Sequence, residues 1–224
     1  MVAAGRGVRA GAGSVAPKQY RPIGGVPMLA RALRPFVEHP RVGPVVVVLP
    51  PDDVASPPGW LAAAVPGRLV VAAGGASRQE SVANGLRALP PGPTIVLVHD
   101  AARPFADRAL IDRVLAVAEL GAVAVPGLPL AETVKETDAA GLVIRTVARE
   151  RFVAVQTPQG FPRDTLETAH QRSHGEAPAT DDAALCERLG TAVRVVAGSP
   201  RNLKVTTSED FALAEAIVAL DGMP

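Results

Sequence analysis

Two hydrophobic rhythms alternate along this chain. Short Val-rich runs occur at 44–49 (PVVVVL), 68–73 (RLVVAA), 94–100 (TIVLVHD), 121–126 (GAVAVP), 152–157 (FVAVQT) and 192–197 (AVRVVA). Continuous apolar runs of this length are the pattern of strands buried on both faces, as in a parallel sheet. Between them lie stretches with apolar residues at helical spacing. In 27–39, Leu29, Leu33, Phe36 and Val37 share one face. Residues 77–89 open with Ser77 and Glu80, a capping-box pair, and 207–220 open with the same spacing in Thr207 and Asp210. Residues 107–120 predict a long amphipathic helix. Strand–helix alternation of this kind predicts an α/β fold, a doubly wound and mostly parallel sheet with helices on both faces.

Two places break the rhythm. Residues 132–147 (ETVKETDAAGLVIRTV) carry two β-prone runs around the turn signal DAAG. They predict a β-hairpin arm inserted between two sheet strands. Such an arm has no helix to cover it, so it either packs on its own domain or reaches a second copy of the chain, the reading preferred here. The other break is at the start. A glycine-rich loop in this architecture follows a first strand that lies centrally in the sheet, yet only Met1 and Val2 precede AAGRG. The expectation is a nearly absent first strand, with residues missing upstream of Met1. Pro/Gly-rich stretches at 50–59 and 90–93 read as loops. The whole reads as a single domain over 1–224, with the arm at about 130–150.

Composition narrows the function classes. Apolar residues make up 48% of 224, which excludes a disordered chain. No apolar run is long enough to cross a bilayer, and no export leader is visible. The single cysteine, Cys186, permits no internal disulfide and reads as core, consistent with a reducing cytoplasm. Aromatic residues are 3%, which argues against stacking on nucleic acid. The net charge of +1 is uninformative, but its distribution is not. No acid occurs before Glu38, while Arg6, Arg9, Lys18, Arg21, Arg31 and Arg34 all do. Such a segment suits a polyanion, or is a solvated basic face.

The loop 3–11 (AAGRGVRAG) satisfies the loose Gly5-x-Gly7-x-x-Ala10 dinucleotide fingerprint. The acid that would hold a ribose about 20 positions on is missing. Arg6, Arg9 and Lys18 accompany the loop instead, so it reads as a triphosphate cradle; the alternative is a tight turn with incidental Arg. Asp100 ends a buried strand, at the edge where open α/β sheets collect ligands. It can hold Mg²⁺ whose other ligands are phosphates and water, or it caps the following turn. Arg103 is placed to fork a phosphate. The histidines form no metal or triad pattern, and His99 reads as structural. Of 23 basic residues only Lys18, Lys135 and Lys204 are lysines. A compact ammonium fits a crowded phosphorus better than a broad guanidinium, which sets Lys18 and Lys204 facing a reacting phosphate, unless three lysines survive by chance.

The pieces AAGRGVRAG, PKQY, GGASRQESVANGL, VHDAARP, ETVK, QTPQGF, ATDDA and NLKVTT…DFALAE, in this order, cover nearly the whole chain. In them the chain resembles the 2-C-methyl-D-erythritol 4-phosphate cytidylyltransferases of the non-mevalonate isoprenoid pathway. The resemblance implies a Rossmann-like nucleotidyltransferase fold, a homodimer joined through the arm, Mg²⁺ dependence, and CTP with a sugar-alcohol phosphate as substrates. It implies that Ala3, Ala4, Gly5 and Gly7, with Gly75, Ser81, Asp100 and Ala101, bind CTP, with Asp100 also the metal ligand. Arg9, Lys18, Arg149 and Lys204 would be catalytic, Arg9 and Lys18 stabilising charge on the α-phosphate. Arg103, Thr133, Arg149, Thr157, Thr180 and Lys204 would surround methylerythritol phosphate, Thr133 and Arg149 from the partner's arm. Glu132 stands where the family usually has Asp. The nucleophile would be a phosphate oxygen, largely dianionic at neutral pH because its second pKa is about 6, so no general base is needed. The rivals are a ribitol 5-phosphate cytidylyltransferase, a non-catalytic CTP-binding module and, against the missing ribose acid, a nicotinamide-dependent oxidoreductase.

Overall fold

A computed structural model describes residues 1–5, 17–173 and 177–222. After a 3₁₀ turn at Lys18–Tyr20, a hairpin of β1 (Pro22–Ile23) and β2 (Val26–Pro27) leads into α1 (Met28–Val37). Strand β3 (Val45–Leu49) follows, then the short helices α2 (Pro51–Val54) and α3 (Leu61–Ala64), strand β4 (Leu69–Ala73) and α4 (Arg78–Ala88). Next come β5 (Ile95–Val98), α5 (Arg108–Ala118), β6 (Val123–Pro129) and the hairpin β7 (Val134–Thr137) with β8 (Val143–Val147). The chain closes through β9 (Val153–Val155), β10 (Gln159–Pro162), α6 (Arg163–Arg172), α7 (Asp182–Arg188), β11 (Val193–Ala197) and α8 (Ser208–Asp221).

The sheet is assembled around Val2. β3 pairs with β4 in parallel, and β5 pairs with β10 on its far side. Val2 forms parallel bridges to Val48 and to Asp100, joining the two groups. Its N–H donates to the His99 carbonyl at 2.8 Å, and its own carbonyl accepts from Ala101 N–H at 3.0 Å. On the other side Ala3 N–H donates to Val48 O at 2.8 Å. The spatial order is therefore β4–β3–Val2–β5–β10–β6–β11. Val2 holds the central place expected of the first strand, with a single residue making the bridges.

The runs at 45–49 and 123–127 are buried throughout, as their sequences require. Helices α4, α6 and α7 cover one face, where Val82, Leu86, Phe161, Leu166 and Leu185 meet. Helices α1 and α5 cover the other with Leu29, Leu33, Leu110 and Ile111. Each fully buried side chain such as Leu33 or Phe161 contributes about 1.5–3 kcal/mol by leaving water.

One expected strand is corrected. Residues 152–157 were read as a sheet strand buried on both faces, but β9 is short, exposed and antiparallel to the end of β6. The strand that fills the place between β5 and β6 is β10 (QGFP), antiparallel to both, while β9 joins the same sheet only at the end of β6. Its Gly160 lies so close to α5 that a Cβ would sit 2.5 Å from Val114 Cγ1. The run at 193–197 is an edge strand with exposed side chains, because β6 is its sole partner in the sheet.

The hairpin at 132–147 is as expected. Asp138 and Gly141 close its turn, with Gly141 at φ 84°. Leu142 and Ile144 on it are 71% and 60% exposed. Of the two capping boxes, Thr207 and Asp210 form a complete one. At α4 only half forms: Ser77 Oγ accepts from Glu80 N–H, while the Glu80 carboxylate turns back to Ala76 N–H at 2.8 Å.

Candidate active site

A cleft of about 880 Å³ opens at the carboxyl edge of the sheet, above Val2. Ala3 to Gly5 leave the sheet there, and three neighbouring features complete the walls. The loop Gly74–Ser77 follows β4, Asp100 and Ala101 follow β5, and Lys18 and Lys204 reach in from the two ends of the chain. The placement follows from topology, since all the parallel strands release their loops at this edge.

The glycine loop is fixed inward. Gly74 N–H donates to Leu49 O at 2.7 Å, Gly75 N–H to Ser81 Oγ at 3.1 Å, and Ser81 Oγ–H to Ser77 O at 2.8 Å. A Cβ on Gly74 would lie 2.2 Å from the Ala4 Cβ, so only glycine lets the two loops meet.

Asp100 is the electrostatic centre. Its Oδ1 accepts from Arg78 Nε at 3.1 Å and its Oδ2 from Lys204 Nζ at 2.8 Å. Burial alone would raise its pKa, but Arg78 and then Lys204 outweigh burial and hold the carboxyl well below its usual range. Arg78 also donates from Nη1 to Asp182 at 2.7 Å. Burial opposes its charge, yet Asp182 and Asp100 together raise its pKa further. Lys18 Nζ donates to Val205 O at 2.9 Å, tying the lysine to the segment that carries Lys204.

Behind Asp100 runs a neutral relay. The Asp100 N–H donates to Thr157 Oγ1 at 3.1 Å, and that hydroxyl lies 3.0 Å from His99 Nδ1. His99 Nε2 lies 2.9 Å from the Arg103 carbonyl, so Nε2 carries the proton and Nδ1 accepts from the threonine. Burial lowers the His99 pKa to about 4, keeping the ring neutral. The structural reading of His99 therefore holds. Cys186 is in the core, and burial, with acids nearby, pushes its thiol up to about 12.

Of the residues expected in the site, Ala3, Ala4, Gly5, Lys18, Gly75, Ser81, Asp100, Ala101 and Lys204 line the cleft together. Thr157 and Arg103 stand behind it. Thr157 is buried and committed to Asp100 and His99, while Arg103 donates to Asn202 O at 2.8 Å and is partly desolvated. Thr133, Arg149 and Thr180 are exposed and outside the lining, with Arg149 bonded to Ala131 O. Arg9 and Gly7 lie outside the described residues. Arg78 was missed by sequence reasoning. The signal available was a cation in the first turn of a helix, against the helix dipole, which calls for nearby carboxylates.

Among the described residues no group of three or more His, Cys, Asp or Glu side chains could hold a metal, and no helix is long and apolar enough to cross a membrane. A lone carboxylate in a cleft suits a cation that takes its other ligands from phosphates and water.

Comparison with known proteins agrees with this fold. The family model for 2-C-methyl-D-erythritol 4-phosphate cytidylyltransferase matches residues 1–220. The enzyme of that name from Streptomyces avermitilis is 50% identical over 97% of this chain and 89% of its own length. A bifunctional IspD/IspF enzyme of Bradyrhizobium is 46% identical over 98% of this chain, which spans 56% of it. Among solved structures, the Thermus thermophilus cytidylyltransferase superposes with a TM-score of 0.79 at 39% identity, covering 92% of this chain and 96% of its own. The 4-diphosphocytidyl-2C-methyl-D-erythritol synthase of Anaerococcus prevotii gives 0.83 at 27%, covering 97% and 95%. With this match over nearly its full length, the chain belongs to the 2-C-methyl-D-erythritol 4-phosphate cytidylyltransferase family.

Proposed function

We propose that this chain transfers cytidylyl from CTP to 2-C-methyl-D-erythritol 4-phosphate. An oxygen of the acceptor phosphate attacks the α-phosphorus. The bond to the bridging α–β oxygen breaks, and pyrophosphate leaves with the electron pair. The observation that supports this reading is the pairing of Asp100 with Lys204 in one cleft with Lys18, with no histidine among the described residues that line it. A phosphate dianion needs no base; it needs cations to offset its repulsion from the triphosphate. Lys18 and Lys204 supply positive charge, and the rest of the rate enhancement comes from positioning. Asp100 would hold Mg²⁺, which supplies Lewis-acid neutralisation of phosphate charge. The N–H groups of Gly74, Gly75 and Ala76 are spent on internal bonds. That leaves the carbonyls of this loop to accept from the exocyclic amine of cytosine, so UTP is a poor substrate. Pyrophosphate release with CTP and either methylerythritol phosphate or ribitol 5-phosphate, with and without Mg²⁺, tests the reading. Release with ribitol 5-phosphate alone, or UTP turnover equal to CTP, overturns it.

The chain acts as one catalytic domain, in the cytoplasm, and as a homodimer joined through the β7–β8 arm. The exposed Leu142 and Ile144 on the arm and Phe152 beside it support this, as does the position of Thr133 and Arg149 outside the cleft of their own chain. These two residues, with Thr180 and Arg9, would complete the acceptor and phosphate contacts, while Arg103 braces the cleft from behind through Asn202 O. Ile144→Glu is expected to give monomers by analytical ultracentrifugation and to lower activity at least about tenfold. A dimeric, active variant removes the arm from the account.

A further inference from the structure

Behind the cleft floor lie two acids that the proposed reaction does not use. Asp181 and Asp182 are neighbours with separate tasks. Asp181 caps α7, accepting from Ala184 N–H at 2.9 Å, and takes a second bond from Gln159. Asp182, only 1% exposed, points back under the sheet edge. Its Oδ1 lies 3.0 Å from His170 Nε2, and its Oδ2 accepts from Arg78 Nη1 at 2.7 Å. Arg78 gives its Nε to Asp100. A chain of four side chains, His170–Asp182–Arg78–Asp100, thus runs from α6 to the cleft. A carboxylate this buried persists only when its lone pairs are met, and these two partners meet them.

The two cations on Asp100 differ in kind. The Lys204 side chain is 45% exposed and Asp100 is its carboxylate partner. The Arg78 side chain is 28% exposed and shared between two carboxylates, and its Nη2 is buried without a hydrogen-bond partner. An undivided guanidinium would meet Asp100 with both prongs of its fork, the strongest pairing open to it. Divided, it gives one N–H to each acid.

We propose that Asp182, braced by His170, is a positioning residue: by holding half of Arg78 it keeps Asp100 available to the divalent cation that accompanies the nucleotide. Lys204 is then the partner that gives way. The inference rests on the cytidylyl-transfer reading for its ligand, but its test does not depend on turnover.

The experiment is Mn²⁺ binding in the presence of CTP and without acceptor, read from the electron paramagnetic resonance of the unbound ion. Asp182→Asn is expected to weaken Mn²⁺ binding about tenfold, as Arg78 swings wholly onto Asp100. Asp182→Glu, which keeps the carboxylate, is expected to restore binding to within about threefold of the parent. His170→Leu, which removes the brace and leaves the acid, is expected to weaken it about threefold. In turnover assays the Mg²⁺ requirement should rise while kcat at saturating Mg²⁺ stays within about threefold. Thermal melts confirm folding, and if Asp182→Asn does not fold, His170→Leu decides. Unchanged Mn²⁺ binding in the folded variants overturns the proposal, as does a parent protein that fails to bind Mn²⁺ with CTP. A parent that binds Mn²⁺ and CTP but forms no product refutes the reaction and leaves this inference to the binding data.

Discussion

The gap between β3 and β5 has two ends, and they differ in every respect but position. At the carboxyl edge the gap opens into the polar cleft with Asp100, Lys18 and Lys204. At the amino edge it is an apolar slot of about 430 Å³, walled by Val46, Val96, Leu86, Phe36 and Leu115 among others. Met1 and Val2 lie between them, Met1 bonded to β3 and Val2 pairing with both neighbours at one level of the sheet. The contrast teaches where function can sit in this architecture. Carboxyl ends of parallel strands release loops and meet helix N-termini, which present N–H groups and favour anions. Amino ends lie between covering helices, and here apolar side chains predominate, with Arg41 and Glu119 at the rim. One end is fitted for a charged ligand; the other holds shape.

The largest effect should come from the polar end. Lys18→Ala is expected to lower kcat by about 10²–10³, the loss of one strong electrostatic donor, without moving the melting temperature. Activity within a factor of two of the parent would break the assignment. Lys18→Arg sharpens it, because near-normal activity would show that charge suffices and compactness does not matter.

His99 touches both ends, lining the slot and bracing Asp100 through Thr157. Its pKa is about 4 in the fold, against an ordinary value of 6.5. The unfolded chain therefore binds a proton that the fold refuses. The resulting stability is whole above about pH 6.5 and is lost as pH falls through 4, about 3 kcal/mol in all. Denaturant titrations across that window should show the fall, and His99→Gln should flatten it. An equally steep fall in the variant places the titration elsewhere.

Gly74→Ala pushes a methyl into Ala4 where the cradle leaves the sheet. A cost of about 1–3 kcal/mol in stability and a raised KM for CTP are expected. An unchanged KM would separate the cradle from the nucleotide. The smallest effect belongs to the apolar end. Val96→Ala in the slot wall is expected to lower the melting temperature by a few degrees with kcat unaltered. A change in kcat would show that the two ends are not independent.

Much of this was legible before any coordinates. The runs at 45–49 and 69–73 could be nothing but strands, and Ser77, Asp107 and Thr207 cap helices where the sequence marks their starts. Asp100, Lys18 and Lys204 were legible as chemistry because each is an exception in its surroundings. β10 was not, since QGFP carries a glycine and a proline that usually end strands. Its place is made by Val114 filling the space that a Cβ at Gly160 would occupy. Arg78 was not either, because its meaning lies in acids 22 and 104 positions away.

Local pattern thus marked most of the elements and the residues that suggest an anionic ligand, since both depend on residues close together in the chain. The joining of the sheet by Val2, the division of Arg78 between two acids and the pairing of Lys204 with Asp100 belong to the folded molecule alone. Each brings together residues far apart in sequence, and pairing energies of that kind exist only once the strands between them have been stacked.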